Sequence, residues 1–165
     1  MKLFNRSITV LLLIISFSAC KKDGFLPLTD VRPDIPVIVS NATEYRPGPT
    51  IVVSRANPAF SIVLEIPANS GRTIKEITKV AATSGSSQAL FGTTGLYNTT
   101  PIAGSGTKVT FNSSLTEFTA KTGSAVPANN PPLNNIELAR QFYFLITLDN
   151  NQELVTQQVR ILVVP

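Results

Sequence analysis

The chain has no histidine, no tryptophan and a single cysteine in 165 residues. Each scarcity removes a class of chemistry. Without histidine there is no Ser–His–Asp or Cys–His nucleophile pair. With one cysteine there is no His/Cys metal cluster and no disulfide within the chain. Charge is sparse too: 15 % of residues are Asp, Glu, Lys or Arg, against roughly 25 % in an average soluble protein. No basic cluster exceeds the pair Lys21–Lys22, and the formal charge of +4 falls to +2 if residues 1–19 are removed with Lys2 and Arg6. Nucleic acid is therefore not an expected partner, and neither a metal nor a cofactor is expected. The length suits one domain.

What is present begins with a targeting signal. Lys2 and Arg6 precede an apolar stretch over residues 8–19, and the small residues Ser18 and Ala19 stand before Cys20. That is the three-part pattern of a cleaved secretory signal. A permanent span needs about 20 apolar residues, so this stretch is too short for one.

Phe17-Ser18-Ala19-Cys20 resembles the lipobox of bacterial lipoproteins, with Phe17 where Leu is usual. The resemblance implies cleavage before Cys20, acylation of its thiol and amino terminus, and anchoring in the lipid bilayer. Three acyl chains hold far more firmly than one reversible chain. Cys20-Lys21-Lys22-Asp23 is similar to the start of Bacteroidetes-type lipoproteins, which implies the outer membrane. Either leaflet, periplasmic or surface, stays open.

Residues 20–49 carry Pro27, Pro33, Pro36, Pro47 and Pro49. Proline removes backbone donors and fixes φ, so the stretch reads as an extended tether, with Ile35 to Val39 as one edge strand at most.

Residues 50–165 read as an all-β domain. Phe60, Ile62, Leu64 and Ile66 alternate with Ser61, Val63, Glu65 and Pro67 at period two. Ile74 to Ala82 and Lys108 to Asn112 continue the pattern, and Glu117 to Ala120 is a weaker strand candidate. Only Leu133 to Arg140, after Pro131–Pro132, reads as a helical turn. The last unit is a hairpin: a two-residue turn at Asn150–Asn151 would pair Ile146 with Val155 and Phe142 with Val159. A three-residue loop would put the two apolar sets on opposite faces. Short strands with turn signals predict a sandwich or barrel. A chain closing on such a hairpin resembles the last two strands of an immunoglobulin-like or fibronectin-III-like domain. The expected fold is thus an immunoglobulin-like antiparallel β-sandwich preceded by a signal peptide (1–19) and a tether (20–49).

Paired carboxylates are the catalytic device the composition still permits. Glu65 falls on the outward face of its strand, while Asp149 and Glu153 flank a turn, and each reads as a solvated charge. No catalytic residue is assigned. Gly92-Thr93-Thr94-Gly95 lacks the following Lys of a phosphate loop. What remains is binding. Phe91 and Tyr97 stand in the long polar loop over residues 83–107, with Asn98 beside them, and a ring flanked by amides and hydroxyls suits a saccharide. The expected role is a non-enzymatic binding or accessory module, similar to small lipoproteins that accompany outer-membrane glycan-uptake complexes of the starch-utilisation type. One rival is a structural or adhesive subunit assembling by donation of the strand Val159 to Val164. A small hydrolase is the disfavoured rival.

Overall fold

Alternating apolar residues build most of the strands. In the computed structural model of the chain, residues 33–45, 48–82, 87–126 and 136–165 are described, with 136–140 as backbone only. The strands are β1 (Ile38–Val39), β2 (Thr50–Ser54), β3 (Ala59–Glu65), β4 (Ile74–Ala81), β5 (Ile102–Ala103), β6 (Lys108–Ser114), β7 (Ile136–Leu148), β8 (Glu153–Val155) and β9 (Val159–Val164). Among the described residues one α-helix, α1 (Leu115–Thr122), joins them. Two sheets result. One has the order β1-β3-β6, the other β2-β9-β7-β4-β5 with β8 also beside β7. Phe60, Ile62 and Leu64 of β3, Val109 and Phe111 of β6, and Phe142, Phe144, Ile146 and Leu148 of β7 share one buried core. The fold is a mostly-β pair of packed sheets. Its strand pairs are antiparallel apart from β2 with β9, which run parallel from Thr50↔Arg160 to Ser54↔Val164.

The compact unit runs Pro33–Pro165, so the domain boundary expected at residue 50 moves to Pro33. Burial explains the shift. Val39 is buried in the core, with Ile35, Val37 and Ala42 packed against it. Asn41 adds two hydrogen bonds: its Oδ1 accepts from Val63 N–H at 2.9 Å and its Nδ2 donates to the Ser61 carbonyl at 2.9 Å. A stretch too proline-rich to form a sheet alone is thereby seated along β3. Cys20 and the signal lie outside the described residues.

Two local expectations are corrected. Leu115–Thr122 is helical where a weak strand was expected over Glu117 to Ala120. Ser114 is its N-cap, its hydroxyl accepting from Glu117 N–H at 3.1 Å, and Gly123 closes it at φ 69°. Ser at the cap with Glu three residues on is a helix-start signal that outweighs strand propensity. Conversely, residues 136–140 extend β7 rather than forming a helical turn, paired through Ile136↔Val163 and Glu137↔Leu162.

The hairpin register is the third correction. The loop has three residues, Asp149–Asn151, with Asn151 at φ 63°. It is closed by Leu148 N–H to the Gln152 carbonyl at 2.9 Å. Pairing is therefore Ile146↔Leu154 and Leu145↔Val155, and Leu154 rather than Val155 faces the core. The expected pair Phe142↔Val159 nonetheless forms. Between the two registers β7 spends two residues and its partner spends three, Thr156 to Gln158. Thr156 replaces the lost ladder: its N–H donates to the Phe144 carbonyl at 3.0 Å and its Oγ1 accepts from Phe144 N–H at 3.1 Å. A one-residue slip at the turn is thus undone by a one-residue bulge, so the apolar face of β9 still points inward.

Candidate functional site

The three residues expected at a ligand surface are dispersed by the fold. Phe91 ends the 3-10 turn Ser87–Phe91 and is 71 % exposed. Leu90, its neighbour, is buried against Ala81, Tyr143 and Leu145 on the outer face of the larger sheet. This turn therefore holds Phe91 outward by burying the residue before it.

Tyr97 is the opposite case. It is 3 % exposed, with its ring edge-on to Phe111 and Phe142 at centroid distances of 5.7 and 5.3 Å. Asn98 is occupied too. Its Oδ1 accepts from Val80 N–H at 2.6 Å, and its Nδ2 donates to the carbonyls of Thr78 and Thr100 at 3.2 and 2.9 Å. These two residues fasten the long loop to β4 and close the side of the sandwich. They are not an exposed platform, and of the expected trio only Phe91 offers a free ring.

Sequence reasoning missed a polar chain that starts at Tyr97. Ser113 Oγ donates to Glu117 Oε2 at 3.0 Å. A hydroxyl has one proton, so at its 2.6 Å contact with Tyr97 Oη Ser113 accepts. Glu117 Oε1 meets Lys121 Nζ at 2.7 Å, and that ammonium also sits 4.6 Å from the Tyr97 ring centroid. The signals were present as i,i+4 spacings: Ser113 to Glu117, and Glu117 to Lys121. The bond to Lys121 holds the Glu117 carboxyl below its usual range. Burial pushes the Tyr97 phenol up to about 12, and the nearby Glu117 charge acts the same way.

A pH dependence follows with a definite sign. A phenol with a higher pKa folded than unfolded contributes its full stability below pH 10 and loses it as pH rises through 12. Unfolding free energy should hold level to about pH 10 and then fall by roughly 2–3 kcal/mol toward pH 12. Urea titrations at stepped pH measure it, and Tyr97→Phe should flatten that segment of the profile. A decline unchanged in Tyr97→Phe would assign the loss to another group.

An open groove of about 580 Å³ lies where α1 meets the chain on either side of the β2–β3 turn. Pro58, Leu115, Ala120 and Val126 supply apolar walls, and Arg55 with Thr116 and Thr119 supplies polar atoms. Leu115 N–H donates to the Pro58 carbonyl at 3.0 Å and fixes one side to the other. Thr119 Oγ1 is turned to the Leu115 carbonyl at 3.2 Å. Arg55 makes no ion pair among the described residues. The groove suits a small group with an apolar face and an anionic or carbonyl end.

Among the described residues no group of three or more His, Cys, Asp or Glu side chains converges, and no helix is long and apolar enough to cross a membrane. No family model, no curated protein and no solved structure matches the chain.

Proposed function

We propose that the protein is a lipoprotein anchored in the outer membrane through acylated Cys20, and that its domain is an immunoglobulin-like, non-enzymatic binding or accessory module. The strand order supports the domain half of this reading, and the resemblance of Phe17-Ser18-Ala19-Cys20 to a lipobox supports the anchor. The sheet β1-β3-β6 facing β2-β9-β7-β4-β5 follows the immunoglobulin-like division of strands A, B and E against G, F, C and C′. The first strand is shared between the sheets as β1 and β2. Twelve residues separate Cys20 from Pro33, where the compact unit begins, which provides a short spacer above the lipid. A glycan or an uptake complex is the proposed partner. Phe91 is the ring a saccharide would stack on, with Thr93 and Thr94 also exposed. Strand donation by Val159 to Val164 is not favoured. β9 lies between β2 and β7, so lending it would break two ladders.

Metabolic labelling with a fatty acid tests the anchor. Wild-type protein should take up label and Cys20→Ala should take up none. Retention on an immobilised glycan panel tests the module, and Phe91→Ala should lower retention while leaving the melting temperature in place. Undiminished label in Cys20→Ala, or retention indifferent to Phe91→Ala on every glycan that binds, would overturn the corresponding half.

A further inference from the structure

β6 is a seven-residue strand with, among the described residues, a neighbour strand on one side only. Its partner β3 pairs with it from Ala59↔Ser114 to Glu65↔Lys108. The direction of the unused groups follows from β3. Val63 directs its carbonyl to Ser40 N–H and its N–H to Asn41 Oδ1, and Ser61 directs its carbonyl to Asn41 Nδ2. Ser61 and Val63 thus face β1, so their opposite residues Asn112 and Thr110 form non-hydrogen-bonded pairs. In an antiparallel ladder such residues point their N–H and C=O away from the partner. Thr110 and Asn112 are exposed, and among the described residues their outward backbone groups have no backbone partner.

The other edges are shorter or partly covered. β1 and β5 have two residues each. β2 has its outward groups at Thr50 taken by Glu44 and Thr43. Proteins usually blunt an exposed edge with a charge, a proline or a bulge. From Val109 to Ser114 β6 has none of these.

We propose that this edge pairs with the same edge of a second copy of the chain, antiparallel, about a two-fold axis at Phe111. The pattern is self-complementary. Outward-facing Thr110 and Asn112 stand one residue either side of Phe111. The axis therefore sets Thr110 against Asn112 of the second copy, and Asn112 against Thr110 of the second copy. Each N–H donates to the opposing carbonyl, giving four hydrogen bonds and joining the two small sheets into one. The charge pattern permits it. The one charged residue on the strand, Lys108, is bound to Glu65 at 3.2 Å and falls opposite Ser114 of the second copy, so no like charges meet. An edge contact alone buries less than the roughly 1,000 Å² of a stable interface. Association is accordingly concentration-dependent, and strongest where copies are crowded.

Sedimentation of the full chain in density-matched detergent, over a range of concentrations, tests the pairing. The wild type should shift from monomer to dimer as concentration rises. Thr110→Pro removes one outward N–H from each copy and none that β3 uses, so it should abolish the dimer. Thr110→Lys should also leave only monomer, by bringing two ammonium groups to diagonal positions across the axis, and so should Asn112→Glu. An equimolar mixture of the Thr110→Lys and Asn112→Glu chains should recover dimer, because the axis sets those positions opposite one another. The Lys and Glu variants cover the case in which the proline variant does not fold. A wild type that stays monomeric, including one that takes up a strand from another protein, overturns the proposal. So does a Thr110→Pro dimer as abundant as the wild type's, or a mixture that recovers nothing.

Discussion

Phe142→Ala should lower the free energy of unfolding by about 3–5 kcal/mol, the range for removing a fully buried ring. Phe142 has no exposed surface, and five rings surround it. Those of Tyr97, Phe111, Phe60, Phe118 and Phe144 have centroids at 5.3, 5.5, 5.8, 6.0 and 6.3 Å. They come from β3, the long loop, β6, α1 and β7 itself, so one truncation opens a void that every layer of the sandwich borders. The geometry of the neighbours also limits relaxation, because Phe60, Tyr97 and Phe118, held edge-on, cannot close in without leaving their rotamers. Chemical denaturation should show a lower midpoint with an unchanged slope. A loss below about 1 kcal/mol would mean that the cluster collapses freely, contrary to this packing.

Tyr97→Ala should cost nearly as much, about 3–4 kcal/mol by the same reasoning. An exposed ligand platform would lose binding on truncation and keep its stability. A ring that is 3 % exposed and closes the side of the core should instead carry a large stability cost. The truncation removes the ring beside Phe111 and Phe142 and the hydroxyl that Ser113 accepts from. Tyr97→Phe separates the two parts, keeping the ring and losing on the order of 1 kcal/mol with the hydrogen bond. Thermal melts of both variants against wild type measure the division. A melting temperature unmoved in Tyr97→Ala would return Tyr97 to the list of ligand contacts.

The parts of the fold that were legible are those in which local pattern and tertiary environment agree. Phe60–Ile62–Leu64 and Phe142–Phe144–Ile146–Leu148 each alternate at period two, and each alternation places its apolar set in the common core. The strands in the long runs could be read for that reason. Three features were not legible, each through a different competition. Leu115–Thr122 is short, and its cap at Ser114 outweighs strand-like residues inside it. The hairpin register depends on a bulge at Thr156 to Gln158, where a side chain substitutes for backbone pairing, and an alternation pattern does not encode an extra residue. Residues 33–45 are seated along β3, with Val39 in the core and Asn41 bonded to Ser61 and Val63, so their proline content misstates their place.

The candidate site was less legible still. Phe91, Tyr97 and Asn98 sit within eight residues of one another in a loop of uniform composition, yet one is exposed, one is core and one is a backbone clamp. What separates them is Leu90, which anchors the turn on one face, and the gap between β4 and β6, which a ring must fill. Neither is visible without the sheet order. The groove beside Arg55 draws its walls from segments around residues 55, 115 and 126, which the sequence keeps far apart and the fold brings together.

The parallel contact between β2 and β9 has a kinetic consequence. Thr50 waits for Arg160, a partner 110 positions further along the chain, and among the described residues β9 is the one strand beside β2 in its sheet. Closing so long a loop is slow because its entropy is lost before any pairing is gained. Before β9 pairs, β1, β3 and β6 can assemble, since each pairs within the smaller sheet. The larger sheet remains open on the β2 side until β9 arrives between β2 and β7. The pairing of β9 with both β2 and β7 is therefore the step that closes the larger sheet.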